Sequence, residues 1–254
     1  MSIVTVVSPH LDDAVFSIGG SIVAWAREGH DVRVLTVFAG RPDDGATVSA
    51  WDALCGFSSE AEATRSRRDE DAAACRVLGA RPVWFDFADH AYIEAGTPTD
   101  PADNDFADHA CIEAGTRADG HAVCRAIQPE LFSSDLVVVP GWPRKHPDHL
   151  WIGALVDSIM ATGPAKGRVL HYAEQPYFAM SGSGSVEPPN AQSGSSADRS
   201  AWCAHRLSGR DLFTKVRAMG CYRSQLRPQK TDLLAQLRFE LRHRIEWLTC
   251  PPLS

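Results

Sequence analysis

Two short stretches carry the residues that chemistry would use. SPHLDDA at 8–14 sets an imidazole, His10, two and three positions ahead of adjacent carboxylates, Asp12 and Asp13. HPDH at 146–149 spaces His146 and His149 three residues apart, with Asp148 between them. Histidine and carboxylate are good ligands for Zn²⁺, and a catalytic zinc site takes three protein ligands and keeps one position open to water. His10 and Asp13, at i and i+3 of a helix start, can point at one place in space, while Asp12 projects differently. His10, Asp13 and His149 make a three-ligand set and leave Asp12 and His146 unassigned. Hydrolysis by a metal-activated water needs two further groups of this kind. One takes the water's proton, and the other stabilises an oxyanion or protonates a leaving nitrogen. A plainer role is open as well: Asp12 or Asp13 capping a helix, with His10 hydrogen-bonded at a strand end.

The surrounding chain supplies elements to position both clusters. IVTVV at 3–7 is β-branched and stops at Ser8-Pro9, which predicts a buried strand; apolar residues at helical spacing follow from 13 and end at Gly29. Further strands are predicted at 31–40, 82–87, 135–140 and 168–174. Helices are predicted at 63–78, before Gly79, and at 147–161, with Pro147 suited to the first turn. Strand and helix alternate, so the expected fold is α/β: a Rossmann-like, mostly parallel sheet flanked by helices. Ligands bind such sheets outside the carboxyl ends of the strands, where both clusters fall.

Two stretches break the alternation. FADHAYIEAGT at 87–97 recurs at 106–116 with a single change, and SGSGSVEPPNAQSGSSADRS at 181–200 has the Ser, Gly and Pro content of a mobile loop. One tandem copy does not make a repeat architecture. The expectation is a single domain over 1–254 carrying a repeat insertion and a loop.

Composition narrows the partners. The 254 residues are 44% hydrophobic, enough to bury a sizeable core, and carry a formal net charge of -7. That balance argues against nucleic-acid or anionic-membrane binding and favours a small neutral or cationic substrate. Seven cysteines without a CxxC pair argue against a disulfide framework and point to the reducing cytoplasm. No window approaches 18 apolar residues, so no membrane span is expected.

Taken together, the motifs resemble those of the zinc-dependent PIG-L/LmbE-like de-N-acetylases. SPHLDDA is similar to the family's first motif, commonly PHPDDE, and VVVPGWPRKHPDH to its second. RRDEDAAACRVLG at 67–79 resembles the family's R-x-x-E helix, and KVRAMGCYRSQ at 215–225 a Lys…Tyr-x-Ser-Gln segment. Leu11 and Ala14 depart from the usual Pro and Glu. The resemblance implies His10, Asp13 and His149 as zinc ligands, though ferrous iron uses the same ligand types. It implies Asp12 as general base and a cationic His146 as the group polarising the carbonyl and protonating the amine. Asp148 would orient an imidazole. Arg67, with Arg65 and Arg68 as near alternatives, and Asp89 would contact sugar or aglycone hydroxyls. The implied reaction removes the N-acetyl group from a GlcNAc-type amino sugar in a small glycoconjugate, such as an antibiotic intermediate. The alternative is an amidase of the same mechanism for a long-chain N-acyl amino sugar or a thiol-conjugate amide.

Overall fold

The computed structural model describes residues 1–40, 48–88, 120–143, 146–164, 167–177, 202–228 and 230–249. Asp89, nearly all of the 87–116 repeat and the 181–200 segment lie outside them. The elements in chain order are β1 (Ile3–Ser8), α1 (Asp13–Arg27), β2 (Asp31–Thr36), α2 (Ala50–Cys55), α3 (Glu60–Leu78), β3 (Arg81–Trp84), α4 (Gly120–Phe132) and β4 (Leu136–Trp142). Then come α5 (Pro147–Thr162), β5 (Arg168–Ala173), β6 (Trp202–Arg206), α6 (Gly209–Met219), α7 (Arg223–Leu226), α8 (Lys230–His243) and β7 (Ile245–Thr249).

Seven strands form one sheet in the order β3-β2-β1-β4-β5-β7-β6. The first five run parallel, and β7 pairs antiparallel with both β5 and β6. The expected α/β architecture is therefore present, extended by two antiparallel strands that the sequence did not announce. Period-two alternation sorts the strand residues between two cores. Val4, Val6, Val32, Val34 and Val138 face α1, α3 and α6. Val7, Leu35, Val37, Val137 and Val139 face α4 and α5. Helices thus change faces between the β1-to-β3 half and the β4-to-β5 half. The chain reverses its winding where β1 lies beside β4, and such a switch point opens a crevice at the strands' carboxyl ends.

Helix α1 is broken at Ile18, whose φ of -131° and ψ of 29° are not helical. Side chains from the carboxyl-terminal elements take over the backbone groups freed there. Gln236 Nε2 donates to the Phe16 carbonyl at 2.6 Å, and Lys215 Nζ to that of Ser17 at 3.1 Å. The Gly20 and Ser21 amides donate to Glu246 at 2.9 and 2.7 Å. Buried backbone groups need partners, so this exchange makes the break tolerable. Lys215 is fully buried and also reaches Glu240 at 2.7 Å and Glu246 at 2.8 Å. A Cβ on Gly20 would meet Leu207 at 2.6 Å, which accounts for a glycine inside a helix at this position.

A second polar seam ties the R-x-x-E helix to the Tyr-x-Ser-Gln segment. Glu70 accepts the Ser224 amide at 2.9 Å and its hydroxyl at 2.6 Å. Buried Asp71 accepts the Tyr222 hydroxyl at 2.6 Å and the Trp84 indole at 2.7 Å. Among the described cysteines, Cys55, Cys75, Cys124 and Cys221 are free, while Cys203 is disulfide-bonded. Cysteine usage therefore no longer argues for a reducing compartment. No helix among the described residues is long and apolar enough to cross a membrane.

Candidate metal centre

The crevice at the switch point holds both sequence clusters. The turn after β1 is built by Ser8, whose hydroxyl donates to the His10 carbonyl at 2.6 Å and accepts the Ala14 amide at 3.1 Å. Asp13 folds back so that its Oδ2 accepts the His10 amide at 2.8 Å. Asp12 stands at the helix start with a φ of 151°, a conformation costly for a non-glycine residue, and its side chain makes no capping bond. Strain without a capping bond favours a chemical role for Asp12 over a structural one. After β4, Pro147 opens α5 and His146 serves as its cap, its Nδ1 accepting the Asp148 amide at 3.2 Å.

Three donor atoms converge. Asp13 Oδ2 lies 3.2 Å from His10 Nδ1 and 3.1 Å from His149 Nε2, and the two nitrogens are 3.3 Å apart. Tetrahedral ligands bound at the usual zinc distances stand about 3.3 Å from one another. The donor set therefore fits a divalent cation in both atom type and spacing. His146 joins His10 and His149 in a wider group whose nitrogens lie within 4.8 Å of one another. Its ring sits edge-on to His10 with centroids 4.9 Å apart.

Each converging imidazole is held from behind. Asp148 Oδ2 is 3.0 Å from His10 Nε2, so Asp148 touches His10 as well as capping-residue His146, whose Nδ1 lies 3.7 Å away. Glu174 Oε2 is 2.5 Å from His149 Nδ1, with both side chains buried. The sequence reading overlooked Glu174. The available signal was its place one residue beyond β5, on the same sheet edge as the two motifs.

Charge and burial set the protonation states. Burial pushes the Asp12 carboxyl up, and the neighbouring Asp13 charge adds to this, while Arg67, His10 and His149 oppose it; the result is about 7. Burial also works against ionised Asp13, but His149 and His10 outweigh it and hold Asp13 well below the usual carboxylate range. Burial disfavours the His149 cation, yet Asp13 and Glu174 raise its pKa to about 9. His10, likewise opposed by burial, is raised well above the ordinary value by Asp13 and Asp148. His146 goes the other way: burial, then the positive charges at His10 and His149, lower it to about 3. With Nδ1 accepting a backbone amide, neutral His146 carries its proton on Nε2. In the protein without a bound cation His146 is thus a neutral imidazole, whereas the expectation from sequence was a cation.

Arg67, at 3.6 Å from buried Asp52, lines a shallow pocket with Leu11, Phe38, Gly40 and Thr64. The pocket adjoins the centre, since Leu11 precedes Asp12 and the Phe38 ring lies 5.8 Å from that of His10. Neighbouring Arg68 is otherwise engaged, donating to the Ala39 carbonyl at 2.8 Å and pairing with Asp86, and Arg65 is exposed. Of the three arginines, Arg67 faces the pocket.

Known proteins resemble the chain to differing degrees. The chain is 32% identical over 184 residues to 2'-N-acetylparomamine deacetylase of Streptomyces fradiae, a match spanning 67% of this chain and 56% of that enzyme. The chain thus covers little more than half the length of that curated relative. The zinc-inhibited form of teicoplanin deacetylase Orf2 superposes with a TM-score of 0.74 at 22% identity, covering 98% of this chain and 97% of that one. For A40926 pseudoaglycone deacetylase Dbv21 the values are 0.71, 25%, 98% and 96%. The family model described as GlcNAc-PI de-N-acetylase matches residues 5–160, the stretch from β1 into α5 that carries both halves of the crevice. The chain belongs to the PIG-L family.

Proposed function

We propose that this protein removes the N-acetyl group from a GlcNAc-type amino sugar of a small glycoconjugate, with His10, Asp13 and His149 holding a divalent cation. The observation that carries the reading is the convergence of Asp13 Oδ2, His10 Nδ1 and His149 Nε2 within 3.1–3.3 Å of one another. Zinc is the ion that the family suggests, and when bound it supplies Lewis acidity and an acidified water near neutral pH. Asp12, beside this centre and free of capping duty, takes the proton of the attacking water. Charge that develops on the acetamide oxygen meets the Nε2–H of neutral His146, a donor that needs no protonation to act. The nitrogen departs with the proton that Asp12 has just received, so one carboxyl serves as base and then acid. Asp148 keeps the His10 ring in place, and Arg67 and Asp89 bind sugar or aglycone hydroxyls. Relatives named 2'-N-acetylparomamine deacetylase, teicoplanin deacetylase and A40926 pseudoaglycone deacetylase support an amino-sugar substrate within specialised metabolism.

The test is amine release from N-acetyl-glucosaminides, free and carried on pseudo-disaccharide or glycopeptide aglycones, by protein of measured metal content. N-acyl chains of increasing length run beside them. Activity abolished by chelation and restored by Zn²⁺, with acetyl favoured, is the expected result. A clear preference for long acyl chains would replace the deacetylase reading with that of a long-chain amidase. No hydrolysis of any member at full metal occupancy would refute both.

A further inference from the structure

Glu174 is buried to 2% exposure against His149, itself equally buried, and its Oε2 reaches the imidazole Nδ1 at 2.5 Å. Its second oxygen, Oε1, is buried without a hydrogen-bond partner among the described residues. A carboxylate placed there burdens the fold, because a buried oxygen stripped of water and left unpaired is destabilising. An apolar residue would be the cheaper filling. The backbone around Glu174 is also fixed: its amide donates to the Trp142 carbonyl at 2.7 Å, and the Gln175 amide donates to Ser17 Oγ at 3.0 Å. The first contact fixes Glu174 against β4, which leads to His149, and the second fixes the adjoining residue against α1, one turn beyond Asp13.

We infer that Glu174 is a positioning residue for the cation site. By accepting the Nδ1–H of His149 it selects the tautomer whose lone pair is on Nε2, and it aims that lone pair at Asp13 and at His10 Nδ1. A hydrogen-bonded carboxylate behind an imidazole both orients the ring and strengthens it as a ligand. Asp148 does the same for His10 from the opposite ring nitrogen, at 3.0 Å from Nε2. The two histidines therefore present different ring atoms to the centre, Nδ1 from His10 and Nε2 from His149, and each needs its own support. This inference rests on the cation lying between His10, Asp13 and His149, as proposed above.

The experiment reads metal affinity rather than turnover. Zn²⁺ dissociation constants are measured by competition with a chromophoric chelator for the wild type, Glu174→Gln, Glu174→Ala and His149→Ala, with thermal unfolding of each metal-free protein as the check on folding. Glu174→Gln, which keeps shape and volume, should weaken binding about 10-fold and Glu174→Ala by about 10- to 100-fold. Zn²⁺ binding by Glu174→Gln as tight as that of the wild type would overturn the positioning role. In the loaded wild type, ¹⁵N chemical shifts should place the His149 proton on Nδ1, and a proton absent from Nδ1 would overturn it independently of any variant. If the wild type binds no Zn²⁺, or His149→Ala binds it undiminished, the cation site itself is wrong and the role of Glu174 falls with it.

Discussion

Replacing Asp12 by Asn separates catalysis from architecture more cleanly than any other change in this molecule. The Asp12 side chain makes no capping bond, so an amide of the same shape removes no support from α1. Stability and metal content should stay close to the wild type. Turnover should fall by about 10²- to 10⁴-fold, the range of a general base. The base works only when ionised, so wild-type activity should decline as pH falls through the Asp12 pKa. At a pKa of about 7 the carboxyl is half ionised at neutral pH, and one unit lower about a tenth of it remains ionised. A bound divalent cation favours the carboxylate and moves this limb to lower pH. Arg67 acts in the same direction, so Arg67→Met should move the limb to higher pH. The assay is amine release from an N-acetyl-glucosaminide between pH 5 and 9 with saturating Zn²⁺. Near-wild-type turnover in Asp12→Asn, or an acidic limb that survives in it, would remove Asp12 from the mechanism.

Two further outcomes follow from buried charge. His149, raised to about 9, and His10, raised well above its ordinary value, both hold protons at neutral pH without metal, and a cation must displace them. Zn²⁺ affinity should therefore climb with pH, roughly tenfold per unit for each proton released, with the His149 contribution levelling off above about 9, and calorimetry in buffers of different ionisation enthalpy counts the protons. A pH-independent affinity would contradict these protonation states. Lys215→Met leaves Glu240 and Glu246 buried without their cation and the Ser17 carbonyl without its donor. The expected loss is about 3–5 kcal/mol, or roughly 6–20 °C in the midpoint of thermal unfolding. A shift of under about 2 °C would mean that the network contributes little.

Much of the site could be read from residue order because β1, α1, β4 and α5 obey local rules: β-branched runs, helical spacing and a proline at a helix start. The motifs then fall at strand ends, where a parallel sheet brings them together. Other parts depend on contacts that no window of sequence contains. The protonation of His146 follows from a backbone amide two residues on and from positive charges delivered by other elements. Arg67 is distinguished from Arg68 only by the packing of Ala39 and Asp86 against α3. Glu174 looks like the polar end of a strand until His149 is seen 2.5 Å away. Strands β6 and β7 escaped notice because one lies at the exposed edge and both follow a long polar stretch. Their partners in the sheet are distant in the chain.

The broken helix α1 bears on how this fold can be divided. Its missing internal hydrogen bonds are replaced by Gln236, Lys215 and Glu246, all far beyond residue 160, where the family match stops. A fragment cut at that boundary would keep every metal-facing histidine. It would also bury four orphaned backbone groups beneath the turn that holds Asp13. The region that the family model matches is therefore smaller than the region that must fold together, and the carboxyl-terminal third acts as the missing half of the first helix.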